Sequence, residues 1–284
     1  MQFDYAAAFS RNIGWLTEAE QQTLRSKRVA IAGMGGVGGF HLLTLARLGI
    51  EKFNIADLDT FELANFNRQA GATMGSLGLA KVEVLANAVR DINPECDLGI
   101  YPAGVNETNL QDFFKDVDLY VDGLDFFAFD ARERVFAYCA QHGIPAVTVA
   151  PLGISGALLN FLPGGMSFEA YFQLDGQPDL EKAVRFLIGL APALLHRHYL
   201  ADKSRVDLKS GKGPSTIMAC QLCAGIAASE ALKILLQRGR VWAAPHGIQF
   251  DGYRNKLAHT WRPGGNRNPL NRLLIAIARH QLGV

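Results

Sequence analysis

Gly33, Gly35, Gly36 and Gly38 fall in the run Gly33-Met34-Gly35-Gly36-Val37-Gly38, followed by Asp57-Leu58-Asp59, by Asn65-Phe66-Asn67-Arg68-Gln69 and by Lys81. Glycines between a strand and a helix let backbone N–H groups and the helix N-terminus come close to an anion. Alone that signal is weak, because NAD, FAD and ATP sites all use it. Asp57 stands about 20 residues beyond the loop, where a carboxylate accepts hydrogen bonds from ribose hydroxyls. That position also suits a dinucleotide and ATP alike. Asp59 either shares the ribose or orients Arg68. Arg68 and Lys81 separate the two ligands. Backbone amides satisfy the phosphates of a dinucleotide, whereas a triphosphate carries about four charges and calls for dedicated cations, arginine being suited to bidentate phosphate contact. The chemistry implied is binding of ATP and cleavage at its α-phosphate.

Asp125, in Val121-Asp122-Gly123-Leu124-Asp125, is expected to close a fourth strand. Ligands of open α/β sheets sit at the carboxyl ends of strands, and a carboxylate there can hold Mg²⁺ bridging the phosphates. Asp122 competes for that role, and either residue can instead cap a helix.

The elements that must position these groups alternate. Thr17-x-x-Glu20 is a capping box, so a helix starts near Glu18. Arg28 to Ala32, Lys52 to Ala56, Asp97 to Tyr101, Asp118 to Asp122 and Ala146 to Ala150 read as buried strands. Val37 to Leu48 (stopped by Gly49), Leu77 to Asp91 (ended by Asn93-Pro94), Thr108 to Phe114 and Ala128 to Gln141 (closed by Gly143) read as helices. The alternation predicts an α/β fold with a doubly wound, mostly parallel sheet. Beyond residue 150 the pattern is less regular. A hairpin of Gly156 to Leu162 with Met166 to Phe172 is expected around Pro163-Gly164-Gly165. Helices are expected over Leu180 to Leu200, interrupted by Pro192, over Ala219 to Gln237 and over Leu270 to Leu282. The polar stretch Lys203 to Pro214 reads as a mobile loop.

The 284 residues are 49% hydrophobic, ample for a large core. A net charge of +1 gives no global bias toward nucleic acid or membrane. No apolar run is read as reaching the roughly 20 residues of a membrane span, and no signal peptide is recognised at the start. The expectation is a soluble cytoplasmic protein with no membrane partner. After Asp251 there is no Asp or Glu, while Arg254, Lys256, Arg262, Arg267, Arg272 and Arg279 follow. This basic stretch either packs on an acidic face of the same chain or docks an acidic partner or RNA.

Taken together, Gly33 to Gly38, Asp57-x-Asp59, Asn65-x-x-Arg68-Gln69, Lys81 and Asp125 resemble the ThiF/MoeB/HesA adenylyltransferase family, related to ubiquitin-activating enzymes. The resemblance runs from about residue 8 to 150 and weakly through the helix from Ala219. It implies a single Rossmann-like domain over 1–284, with a helical arm (1–27), an ATP-binding core (28–150) and a substrate- and dimer-associated part (151–284). It implies ATP and Mg²⁺, and transfer of AMP to a carboxylate such as the C-terminus of a small ubiquitin-like protein, with release of pyrophosphate. Asp57 would hold ribose, Arg68 and Lys81 phosphates, and Asp125 Mg²⁺. Ser10-Arg11-Asn12 resembles the element whose arginine reaches the partner subunit's ATP, so a homodimer with Arg11 acting in trans is implied.

The chain departs from the family pattern in three places. Only Cys220-x-x-Cys223 is present, so no zinc site of four cysteines is expected, and the pair reads as small buried residues. No cysteine lies between Ala140 and Ala219, where thioester-forming members carry one. Phe126 follows Asp125 where the family often has Asn. Three other readings stay open. In the first, an ATP-dependent cyclase or dehydratase acts on a carboxylate of modified tRNA, favoured by Gly78-Leu79-Ala80-Lys81, Ile92-Asn93-Pro94-Glu95-Cys96 and the basic stretch. The second is a non-catalytic nucleotide-binding scaffold. The third is an NAD(P)-dependent oxidoreductase, which leaves Arg68 and Lys81 unexplained.

Overall fold

A computed structural model describes residues 2–208, 211 and 213–282. The chain forms two compact units, one of residues 1–124 and 224–241, the other of residues 125–223 and 242–284.

The first unit opens with helix α1 (Tyr5–Ala8) and α2 (Glu18–Ser26), the latter started by the expected Thr17/Glu20 capping box. Then come β1 (Arg28–Ala32), α3 (Gly38–Arg47), β2 (Lys52–Ala56), α4 (Lys81–Ile92), β3 (Asp97–Tyr101), α5 (Leu110–Phe113) and β4 (Leu119–Asp122). Its strands lie in the order β3-β2-β1-β4, and each neighbouring pair is parallel. The chain winds outward from β1 to β3 and returns to β4 on the other side of β1. The loops leaving β1 and β4 therefore flank a switch point, where α/β sheets bind ligands. Val29 to Ala32 of β1 and all of β4 are buried, which is why both read as apolar runs.

Among the boundaries that differ from the sequence reading, two bear on the site. α4 starts at Lys81 rather than Leu77, because residues 77–80 are held as a short ribbon. Gly78 N–H donates to Phe61 O, Phe61 N–H to Leu79 O and Lys81 N–H to Asp59 O. β4 ends at Asp122, so Asp125 lies three residues past the strand.

The second unit contains α6 (Phe129–His142), β5 (Ala146–Leu152), β6 (Ser155–Phe161), α7 (Phe168–Phe172) and α8 (Asp179–Leu190). It continues with α9 (Ile217–Leu235, running on into residues of the first unit), β7 (His246–Asp251), β8 (Lys256–Trp261) and α10 (Pro269–Leu282). Strands β5-β6-β7-β8 pair antiparallel in that order. The expected hairpin around Pro163 is not there: β6 pairs with β5 and β7, and residues 168–172 are helical. Ser167 caps that helix by accepting from Ala170 N–H, and Phe168, Tyr171 and Phe172 are buried at helical spacing. The region 180–200 is α8 followed by a 3₁₀ turn, Leu195–Tyr199. Of the expected loop 203–214, Lys203–Arg205 form a 3₁₀ turn, while residues 209, 210 and 212 lie outside the described residues.

Helix α9 corrects the membrane reading on one point: by length and composition it could cross a bilayer. Cys220, Cys223, Ala224, Ala227 and Ala231 form a buried stripe of small residues along it. Its buried Glu230 accepts a hydrogen bond from Lys233 at 2.5 Å. A stripe of small side chains with a paired carboxylate suits a core helix that packs closely.

Candidate nucleotide site

The glycines after β1 do two different jobs. Gly33 has φ +88°, and a Cβ there would lie 2.1 Å from Gly123 O. A Cβ on Gly38 would lie 1.7 Å from Gly33 O. Gly33 is demanded by the close approach of the loops leaving β1 and β4, and Gly38 by the tight turn of its own loop. Gly35 is not: its φ is not positive, and the nearest atom to a Cβ would be Gln69 Nε2 at 3.7 Å. Among the described residues nothing else comes within 4 Å of that position. Among the described residues, the half-buried Gly35 and Gly36 N–H groups have no hydrogen-bond acceptor. They open at the start of α3, a ten-residue helix whose N-terminal dipole favours an anion.

Asp57 ties this loop to the end of β2. Its Oδ2 accepts from Met34 N–H at 2.5 Å and its Oδ1 from Asp59 N–H at 2.8 Å. Asp59 faces Lys81 rather than Arg68, accepting from Lys81 Nζ at 2.9 Å. Lys81, at the start of α4, is only 5% exposed, whereas the Asp59 side chain is 57% exposed. A buried ammonium paired with a solvated carboxylate can change partners for a phosphate at little cost.

Asn65 is used locally, its Oδ1 capping the turn through Glu62 N–H. Arg68 is half-buried, and its Nη1 donates to Ala64 O and Asn67 Oδ1 at 3.0 and 3.1 Å, with no carboxylate partner among the described residues. Gln69 is buried, and its Oε1 has no hydrogen-bond partner. A buried orphan amide oxygen is costly, and its own Nε2 is the nearest group to the open side of Gly35. Open backbone amides, the Gln69 Nε2 group and cations are a donor set that fits a polyphosphate, while the orphan Gln69 Oε1 is an acceptor and calls for a donor instead.

Asp122 is buried, and its Oδ1 accepts from Tyr120 O–H and Leu124 N–H. Asp125 is exposed, with Oδ1 accepting from Phe127 N–H at 3.0 Å. The backbone carrying Asp125 is held by a residue that sequence reasoning passed over. Arg132, 2% exposed, donates to Asp125 O at 2.9 Å and Phe126 O at 3.2 Å and stacks its guanidinium over Phe186. Its signal was a charge inside the buried stripe Phe129, Arg132, Val135, Phe136 and Cys139 of α6. His41 was also missed. It lies on the buried face of α3, both ring nitrogens lack a hydrogen-bond partner, and burial pushes its pKa down to about 4 despite the opposing charge of Asp122.

Arg11 is exposed on the 3₁₀ turn Ser10–Asn12. That turn is anchored by Asn12 Nδ2, which donates to Gln21 Oε1 and Leu48 O. Cys220 and Cys223 are buried, and burial pushes the Cys223 thiol well up, away from the reactive thiolate.

A model of the ThiF family matches residues 9–272. The chain belongs to the ThiF family. Among curated relatives it is 32% identical over 131 residues to the tRNA threonylcarbamoyladenosine dehydratase of Haemophilus influenzae, covering 46% of this chain and 49% of that protein. It is 31% identical over 179 residues to a probable molybdopterin-synthase adenylyltransferase of Porphyra purpurea, covering 62% of this chain and 46% of that protein. The chain thus spans about half the length of these relatives. The solved structure of PaaA shares the fold, with a TM-score of 0.68 at 17% identity over 92% of this chain and 74% of that one. This ThiF-family chain has the α/β architecture expected from its alternating elements.

Proposed function

We propose that this ThiF-family chain is an ATP-dependent adenylyltransferase that activates a carboxylate as an acyl-adenylate and releases pyrophosphate. The observation that carries the reading is the buried Lys81 ammonium, paired with solvated Asp59 on the strand-end that also holds the open glycine loop. A dinucleotide site has no use for that cation. In this reading the Gly35 and Gly36 amides and Gln69 hold phosphate oxygens, Asp57 holds ribose, and Lys81 and Arg68 neutralise the phosphates. Asp125 would hold Mg²⁺ rather than Asp122, whose carboxylate is buried and already accepts two hydrogen bonds. Mg²⁺ would supply further neutralisation of the phosphates. An ionised substrate carboxylate attacks the α-phosphorus in line, so the protein's work is positioning and charge stabilisation.

The carboxylate is the C-terminus of a small sulfur-carrier or ubiquitin-like protein, in line with the adenylyltransferase relative. A second reading, a carboxylate on modified tRNA, is favoured by the dehydratase relative. Whole-chain action as one domain, in a homodimer with Arg11 in trans, belongs to the proposal; a monomer in sedimentation would remove the trans role.

Calorimetry of ATP with Mg²⁺ against NAD⁺ and NADPH, on wild type, Arg68→Ala and Lys81→Met, tests the reading. ATP preference with at least tenfold weaker binding in each variant is expected. A dinucleotide preference indifferent to both residues would overturn it. Binding of tRNA that weakens with a steep salt slope would move the substrate to RNA.

A further inference from the structure

The basic stretch after Asp251 is not absorbed by the nucleotide site. Part of it lines a cavity of about 740 Å³ within the second unit, between the turn Gly265–Arg267, the start of α10 and α8. Four arginines line it: Arg185, Arg267, Arg272 and Arg279. No carboxylate does. Glu181 lies behind, accepting from Arg185 Nε at 2.5 Å and Arg279 Nε at 2.7 Å. Arg267 and Arg272 are exposed and have no ion-pair partner among the described residues. One glutamate against four arginines leaves three positive charges uncompensated in one concavity. The remaining wall carries the amides of Gln173 and Asn266 and an apolar part from Pro269, Leu273, Ile275 and Ala276.

The alternative for the basic stretch was an acidic face of its own chain. That holds for Arg279 but not for Arg267 or Arg272. Like charges gathered without counter-charge repel, and the cost is recovered when a multivalent anion binds. Guanidinium forks match phosphate oxygens bidentately. The volume falls within the range of small-molecule sites, and a few charged groups beside an apolar wall fix such a ligand's orientation. We infer that this cavity is a second ligand site, separate from the glycine loop, for a small molecule carrying at least two phosphate charges and an apolar or ring portion.

The test uses the full chain and inorganic pyrophosphate as probe. Calorimetry is run on Arg68→Ala, which weakens the glycine-loop site, with and without Arg267→Gln/Arg272→Gln. Both arginines are exposed, so equal melting temperatures are expected. A second variant, Leu273→Glu, places a carboxylate on the exposed wall. Pyrophosphate binding that survives Arg68→Ala and weakens at least about tenfold in each cavity variant supports the site. Binding indifferent to the cavity variants, or no binding of millimolar pyrophosphate, overturns it. An oligoribonucleotide that binds through Arg267 and Arg272 where pyrophosphate does not would also overturn it, making the cavity part of an RNA surface.

Discussion

Alanine at Gly35 and at Gly38 should separate the two jobs of the glycine loop. A methyl at Gly35 meets only Gln69 Nε2, at 3.7 Å, which is ordinary contact. The backbone there does not require glycine, so the change should cost no stability and could add up to about 1 kcal/mol by restricting the unfolded chain. The melting temperature should stay within a few degrees of wild type. The same methyl occupies the space through which a phosphate reaches the Gly35 and Gly36 amides. Loss of one or two charge-assisted hydrogen bonds, at about 1.5–3 kcal/mol each, predicts a loss of about 3 kcal/mol in ATP affinity, roughly a hundredfold. At Gly38 the methyl would lie 1.7 Å from Gly33 O, an overlap that no rotamer relieves because the Cβ position is set by the backbone and the atom it meets is backbone. Gly38→Ala should cost more than the roughly 1–3 kcal/mol of ordinary overpacking and yield little folded protein. The assay is a thermal melt paired with calorimetry of ATP and Mg²⁺. Gly35→Ala that melts like wild type and still binds ATP within threefold would refute the phosphate cradle. Gly35→Ala that fails to fold would refute the division of labour between the glycines.

Arg132→Met should destabilise the second unit by about 2–3 kcal/mol, since the carbonyls of Asp125 and Phe126 lose charged donors. It should also raise the Mg²⁺ concentration needed for ATP binding. Denaturant melts and a Mg²⁺ titration check this, and an unchanged Mg²⁺ requirement removes the positioning role. The pH dependence of stability should show His41. Its folded pKa of about 4 lies below the ordinary 6.5, so the unfolded chain binds the extra proton first. Stability from this group is fully present above pH 6.5 and is lost as pH falls toward 4, by about 3 kcal/mol at the limit. His196, also pushed down to about 4 by burial, acts in the same sense. His41→Leu should flatten the acid limb of a melting-temperature profile, and an identical profile in that variant would count against the assignment.

The order of strands and helices in the first unit was readable because short β-branched runs, glycine stops and one capping box are local signals. Tertiary contact had little left to decide there. The same holds for the types of residue at the nucleotide site. What local pattern could not show was which groups face each other. The loop geometry decided that Asp59 meets Lys81 rather than Arg68, and that Asn65 spends its side chain on its own turn. Residues 168–172 illustrate the limit: an aromatic run reads as strand until a Ser cap and a buried face make it helix. Strands β7 and β8 were missed because partners distant in sequence, not an apolar run, create them. The four glycines looked equivalent in the sequence, yet the close approach of Gly123 to Gly33, and of Gly33 O to Gly38, makes those two structural and leaves Gly35 open. The sequence by itself determined the family, the α/β alternation and the ionic character of the site, because each rests on residue type and short spacing. Only the tertiary structure decided the ion pairs, the orphan amide of Gln69, the burial of Arg132 and His41, and the gathering of four arginines around one cavity. Those depend on which surfaces lose water together, and spacing along the chain does not record that.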